Sequence, residues 1–164
     1  MKLSTNTMNV LKNFSIINEG IYVKKGNVIE TISKQKNILA RAELAENFDD
    51  EFGIYDLNKF LGQLTLQKDT PEIEFDDKHI VIKTFGGRSK TNYRKASKEV
   101  ILVPPDKKIN MGEPEITLTL TAEEINWVTR MASSLSSPNI AFISDGEKVQ
   151  IQTFDAKDDS ADVN

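Results

Sequence analysis

Asp56-Leu57-Asn58-Lys59-Phe60-Leu61-Gly62-Gln63-Leu64, followed by Ile73-Glu74-Phe75, Asp76-Asp77 and Ile80-Val81-Ile82, decides the architecture of this 164-residue chain. Asp56 is a good helix N-cap, because its carboxylate accepts hydrogen bonds from first-turn amides that lack an intrahelical partner. Leu57, Phe60, Leu61 and Leu64 then recur at i, i+3, i+4 and i+7, one face of an α-helix, with Asn58, Lys59 and Gln63 on the other. The two short apolar runs around Asp76-Asp77 read as strands joined by a tight polar turn. The unit is a helix followed by a β-hairpin.

The same unit is legible twice more. A helix from about Thr5 to Phe14 places Met8, Leu11 and Phe14 on one side and Lys12 with its asparagine neighbours elsewhere. Its hairpin reads as Ile21-Tyr22-Val23, a turn at Lys25-Gly26-Asn27, and Val28-Ile29-Glu30-Thr31. A third helix opens on Thr121-Ala122-Glu123-Glu124, the spacing of a capping box. It is expected to bury Ile125, Val128, Met131, Ala132 and Leu135, leaving Asn126, Arg130, Ser133 and Ser134 outward. Ile140-Ala141-Phe142 and Val149-Gln150-Ile151 flank Asp145-Gly146 as its hairpin. The hairpin starts at a nearly constant distance from the helix start (Thr5 to Ile21, Leu57 to Ile73, Ala122 to Ile140), which points to an internal repeat.

Between the units, residues 39–44 and 115–120 alternate as half-buried strands do. Pro104-Pro105 forbids helix and central strand, and Met111-Gly112-Glu113-Pro114 continues the break. The expected organisation is an α+β chain: a two-unit domain at 1–103, a connector at 104–114, and the first unit of an incomplete second domain at 115–164. A lone third unit leaves an apolar face and a strand edge uncovered. The pattern therefore expects a fourth unit beyond Asn164, or cover from another chain.

Hydrophobic residues make up 38% of the chain and charged residues 28%, enough apolar material for a core. The absence of cysteine excludes disulfides and thiolate metal sites. No apolar run approaches membrane-spanning length and the N-terminus has no apolar signal region, so the chain reads as soluble and cytoplasmic, with no membrane partner. The net charge is −4, unevenly spread: from Lys78 to Lys98 every fully charged side chain is basic, while residues 155–162 are mostly acidic. Such segregation attracts a polyanion locally while repelling it elsewhere.

No catalytic constellation stands above background. His79, the single histidine, falls in a hairpin strand, and no phosphate-cradling glycine loop with its lysine is present. Asp49-Asp50-Glu51 and the C-terminal aspartates lack calcium-loop spacing and fit polar turns. A metal-dependent nuclease has only those acids in its favour, and no cofactor is expected. More informative is a single basic residue on each outward helix face, Lys12, Lys59 and Arg130, among small or amide side chains. Lined up on one concave surface they would meet phosphates without reading bases. Gly86-Gly87-Arg88 reads as a bend or bulge, and Arg88 and Lys90 join the three as DNA-facing candidates. The aromatic residues fall mostly on buried faces, which argues against stacking on single-stranded bases.

Several blocks resemble the sliding clamps of T-even-type bacteriophages. They are Met1-Lys2-Leu3-Ser4, Leu11-Lys12-Asn13-Phe14, Ile17-Asn18-Glu19-Gly20-Ile21 and, most specifically, Ile54-Tyr55-Asp56-Leu57-Asn58-Lys59-Phe60-Leu61-Gly62. Leu120-Thr121-Ala122-Glu123-Glu124 and Asp158-Asp159-Ser160-Ala161 are looser matches, and residues 83–98 depart from the family pattern. The resemblance implies a DNA-clamp fold, with sheets outside and helices lining a hole around duplex DNA. It also implies a homotrimeric ring, placed by an ATP-dependent clamp loader, that tethers the replicative DNA polymerase in the infected bacterial host and hydrolyses nothing itself. Partner peptides are then expected near the connector, where Ile109 and Met111 fall. The alternative is a clamp-like protein-interaction module that does not encircle DNA.

Overall fold

A computed structural model describes residues 1–66, 71–106 and 112–157. The chain divides into two compact units, Met1–Lys108 and Ile109–Asn164.

In the first unit, helix α1 spans Thr5–Ile17, about a turn longer than the sequence pattern suggests. Ser4 caps it, its Oγ accepting from the Thr7 N–H at 3.2 Å. The Glu46 carboxylate, on strand β3 (Leu39–Phe48), accepts from both the Ser4 N–H and the Thr7 hydroxyl, so the helix start is fastened to the sheet. At the other end the buried Asn18 side chain donates to the carbonyls of Ile32 at 3.1 Å and Leu102 at 3.3 Å. Helix α2, Leu57–Thr65, is capped by Asp56, whose Oδ1 accepts from the Lys59 N–H at 2.8 Å.

The first hairpin corrects the sequence reading. Strands β1 (Ile21–Val23) and β2 (Gly26–Ile32) do not pair with each other. β1 pairs antiparallel with β4 (Phe52–Ile54), matching Ile21 with Ile54, while β2 pairs with β3 from Gly26↔Phe48 to Ile32↔Leu39. Gly26, at φ 115°, takes a backbone conformation that side-chain-bearing residues rarely adopt, and the β2–β3 register shifts just after it. The second hairpin agrees with its reading: β5 (Glu72–Phe75) pairs with β6 (His79–Thr84), and β7 (Ser89–Arg94) extends that sheet.

The core lies between the helices and these strands. Leu11 and Phe14 of α1 and Leu57, Phe60 and Leu61 of α2 meet Ile21, Val23, Ile54, Ile73 and Ile80 in one buried cluster. Each fully buried aliphatic or aromatic side chain contributes about 1.5–3 kcal/mol relative to exposure. Phe52 packs edge-on against Phe48 at 5.3 Å between centroids and tilted against Phe75 at 4.7 Å, which ties β3, β4 and β5 together. After β7 the chain crosses the outer face of β4. Ala96 bridges Gly53, and Ile101 is buried against it.

The second unit contains helix α3, Ala122–Ser134, and the hairpin of β8 (Asn139–Ser144) and β9 (Val149–Phe154). The capping box is present: Thr121 Oγ1 accepts from the Glu124 N–H at 3.2 Å, and Glu124 Oε2 from the Thr121 N–H at 2.7 Å. Asp145 Oδ1 closes the hairpin turn by accepting from the amides of Glu147 and Lys148. Two expectations fail here. Residues 115–120 alternate in sequence but join no ladder among the described residues. Of the five apolar α3 residues, only Val128 and Ala132 are buried, against β9; Met131 and Leu135 are half-buried, and Ile125 is 51% exposed. The hairpin covers a stripe narrower than the apolar face the spacing defines.

Candidate nucleic-acid interface

The outward faces of α1 and α2 follow from the same periodicity that buries their inner faces. Lys12 lies across the helix from Leu11, Phe14 and Thr7, and it is the only ionisable side chain in α1. Lys59 lies across α2 from Phe60, Leu61 and Leu64, again as the only ionisable side chain of its helix. Both lysines are exposed, and the two helices are neighbours in the first unit. Around them are Asn9 and Asn13 on α1 and Asn58 on α2, all exposed. The surface is weakly positive and rich in amides, with no carboxylate on either helix to oppose a phosphate.

In the second unit Arg130 is exposed on α3, its Nε donating to the Asn126 carbonyl at 3.3 Å. Trp127 stands one turn earlier, 54% exposed, beside Arg130 at i−3. The sequence reading assigned the aromatics mostly to buried faces and missed this one. The signal was available, because Trp127 falls outside the stripe formed by Ile125, Val128, Ala132 and Leu135.

Arg88 and Lys90 are placed apart from this helix surface. Arg88 is exposed in the β6–β7 turn, where Phe85 (φ 52°), Gly86 (φ 64°) and Gly87 (φ 86°) are all left-handed, and its Nε donates to the Phe85 carbonyl at 3.3 Å. Lys90 shares a sheet face with Asn92 and Arg94. The alternate residue Tyr93 points the other way, edge-on to Phe60 of α2 at 5.3 Å between ring centroids. Lys90 is therefore on the side of the sheet opposite α2, not beside Lys12 and Lys59. Ile109 and Met111 lie outside the described residues.

His79 opens β6, its Nδ1 3.3 Å from Asp76 Oδ1. The amides of Lys78 and His79 hold that carboxyl below the usual aspartate range. These contacts organise the β5–β6 turn and assemble no acid–base pair. Among the described residues no group of three or more His, Cys, Asp or Glu side chains is placed to hold a metal ion, and no helix is long and apolar enough to cross a membrane.

Residues 2–103 match the family model described as DNA polymerase processivity factor. The sliding clamp of Enterobacteria phage T4 is 35% identical over 162 residues, covering 98% of this chain and 70% of that protein. The sliding clamp of Escherichia phage RB69 is 31% identical over 161 residues, with coverage of 98% and 69%. That of Vibrio phage KVP40 is 36% identical over 107 residues, 65% of this chain and 48% of the relative. Among solved structures, PCNA from Thermococcus kodakaraensis is similar at a TM-score of 0.46 with 11% identity, covering 96% of this chain and 72% of that one. The family match over the first unit, together with phage sliding clamps aligned over nearly the whole chain, means that this chain belongs to the sliding-clamp family of DNA polymerase processivity factors.

Proposed function

We propose that this chain is a subunit of a ring of three copies that surrounds duplex DNA and holds the replicative DNA polymerase to its template. The observation that carries this reading is the helix surface of the first unit. Two adjacent helices each expose one lysine, Lys12 or Lys59, with no acidic side chain on either. Lone cations on an amide-rich surface make sequence-independent, salt-sensitive phosphate contacts. Arg130 supplies the equivalent contact from α3. The chain performs no chemistry; an ATP-dependent loader places it on DNA in the cytoplasm of the infected bacterium. Residues 1–103 and 115–164 act as the two clamp domains of the subunit. The connector at 104–114 offers Ile109 and Met111 to hydrophobic partner tails.

The test is retention on DNA after loading with loader and ATP. The protein is expected to stay on circular duplex and to run off linear duplex with free ends. Equal retention on both would remove topological tethering as the mechanism. Lys12→Glu, Lys59→Glu and Arg130→Glu combined are expected to weaken loading, and an unchanged yield would remove the helix-face assignment.

A further inference from the structure

The first unit also carries a cationic cleft on the sheet face turned away from α1 and α2. Tyr22 alternates along β1 with the buried Ile21 and Val23, so its ring stands on the side opposite the core. Its hydroxyl donates to Glu51 Oε2 at 2.9 Å. The chain leaving β7 crosses this face, and Lys98 Nζ lies 5.6 Å from the centre of the Tyr22 ring. Arg94 and the β5–β6 turn at Asp77 and Lys78 complete the walls around a space of about 360 Å³.

The charges around this space do not cancel. Lys95 is already used, its Nζ donating to the Asp76 carbonyl and lying 5.6 Å from the Phe75 ring centre. Glu51 is committed to the Tyr22 hydroxyl. Lys78, Arg94 and Lys98 have no carboxylate within ion-pair distance among the described residues. In a chain of net charge −4, four cations, Lys78, Arg94, Lys95 and Lys98, thus line this space against two carboxylates, Glu51 and Asp77. The space lies within the usual range of small-ligand sites, about 300–1,000 Å³, and is far too small to admit a duplex. It is also on the opposite side of the sheets from Lys12 and Lys59, so DNA held against the helices does not reach it.

We infer that this cleft binds an acidic peptide segment of a partner protein, its carboxylates meeting Lys78, Arg94 and Lys98. The contact requires neither a closed ring nor DNA, so its test is independent of the clamp reading. Labelled octaglutamate is titrated with the intact protein at low salt and followed by fluorescence anisotropy, with octaglutamine as the neutral control. Octaglutamate is expected to bind and octaglutamine not to bind. The combination Lys78→Glu, Arg94→Glu and Lys98→Glu should lower affinity by about tenfold or more. Lys12→Glu with Lys59→Glu, on the opposite face, should leave it unchanged. Circular dichroism checks that the triple variant is folded; if it is not, the milder Arg94→Gln with Lys98→Gln decides, with a smaller loss in the same direction. Absence of octaglutamate binding, equal binding of octaglutamine, or equal loss from the helix-face variant overturns the proposal. So does efficient displacement of octaglutamate by a short duplex, which would make the cleft a nucleic-acid surface instead.

Discussion

Gly53 faces Ala96 so closely that a Cβ on Gly53 would lie 2.5 Å from the Ala96 carbonyl oxygen and equally close to Ile101 Cδ1. The carbonyl belongs to backbone and Ile101 is buried, so neither yields without moving the crossing segment off β4. Gly53→Ala is expected to lower the unfolding free energy by about 1–3 kcal/mol, the range for overpacking a filled site. Urea denaturation measures it. A loss below about 0.5 kcal/mol, typical of unconstrained surface positions, would contradict the close approach.

Glu46 connects β3 to the start of α1, and its ionisation is coupled to that contact. Burial pushes its carboxyl up, but the hydrogen bonds from the Thr7 hydroxyl and the Ser4 amide outweigh burial and bring it below its ordinary value. Glu46→Gln is expected to cost about 1–2 kcal/mol at neutral pH, since charge-assisted hydrogen bonds are replaced by neutral ones. A carboxyl depressed in the folded state contributes fully above its unfolded value, about 4.3, and loses its contribution as the pH falls through the folded value. Denaturation midpoints of the native and variant proteins should therefore converge below about pH 4. A gap that stays constant from pH 7 down to pH 3 counts against the assignment.

Two neighbouring apolar residues of α3 should respond in opposite ways to truncation. Val128, 9% exposed, is expected to lose about 1 kcal/mol or more as Val128→Ala. Ile125→Ser, at a site 51% exposed, is expected to stay within about 0.5 kcal/mol and to improve solubility. Calorimetry of both variants checks the contrast. Equal losses would mean that the flank carrying Ile125 is covered in solution.

Thr121→Ala removes one side of the α3 capping box and should cost about 1 kcal/mol. The effect is expected to be local. Amide exchange should accelerate across the first turn of α3 while the amides of α1 and α2 keep their protection, because those helices have their own caps at Ser4 and Asp56. Acceleration spread equally over both units would show that they unfold as one.

The elements legible in the sequence are those specified by short-range chemistry. Asp56, the four apolar positions after it and the Asp76-Asp77 turn lie within one stretch of chain, and each is satisfied by its near neighbours. The β1 pairing was not legible, because Val23 finds Phe52 across nearly thirty residues and nothing near Val23 names that partner. Proximity in sequence suggested β2, whose own ladder runs to β3. The Ile125 error arose differently: periodicity marks which residues share a face but says nothing about how much of that face a neighbour covers. The helix cations were readable one by one from the same periodicity. The cleft around Tyr22 was not, since it joins residues of β1, the β5–β6 turn and the segment after β7.

The tyrosines at 22, 55 and 93 all fall in the first unit, and the single tryptophan, Trp127, stands on the second. The chain is therefore divided spectroscopically where it is divided structurally. Emission excited at the red edge reports on α3 alone. Tyrosine absorbance near the phenol band, corrected for the indole, reports on the unit that carries Lys12 and Lys59. Recording both during one thermal ramp resolves the melting of each half without a label, and any ligand that shifts only one curve identifies the half it engages.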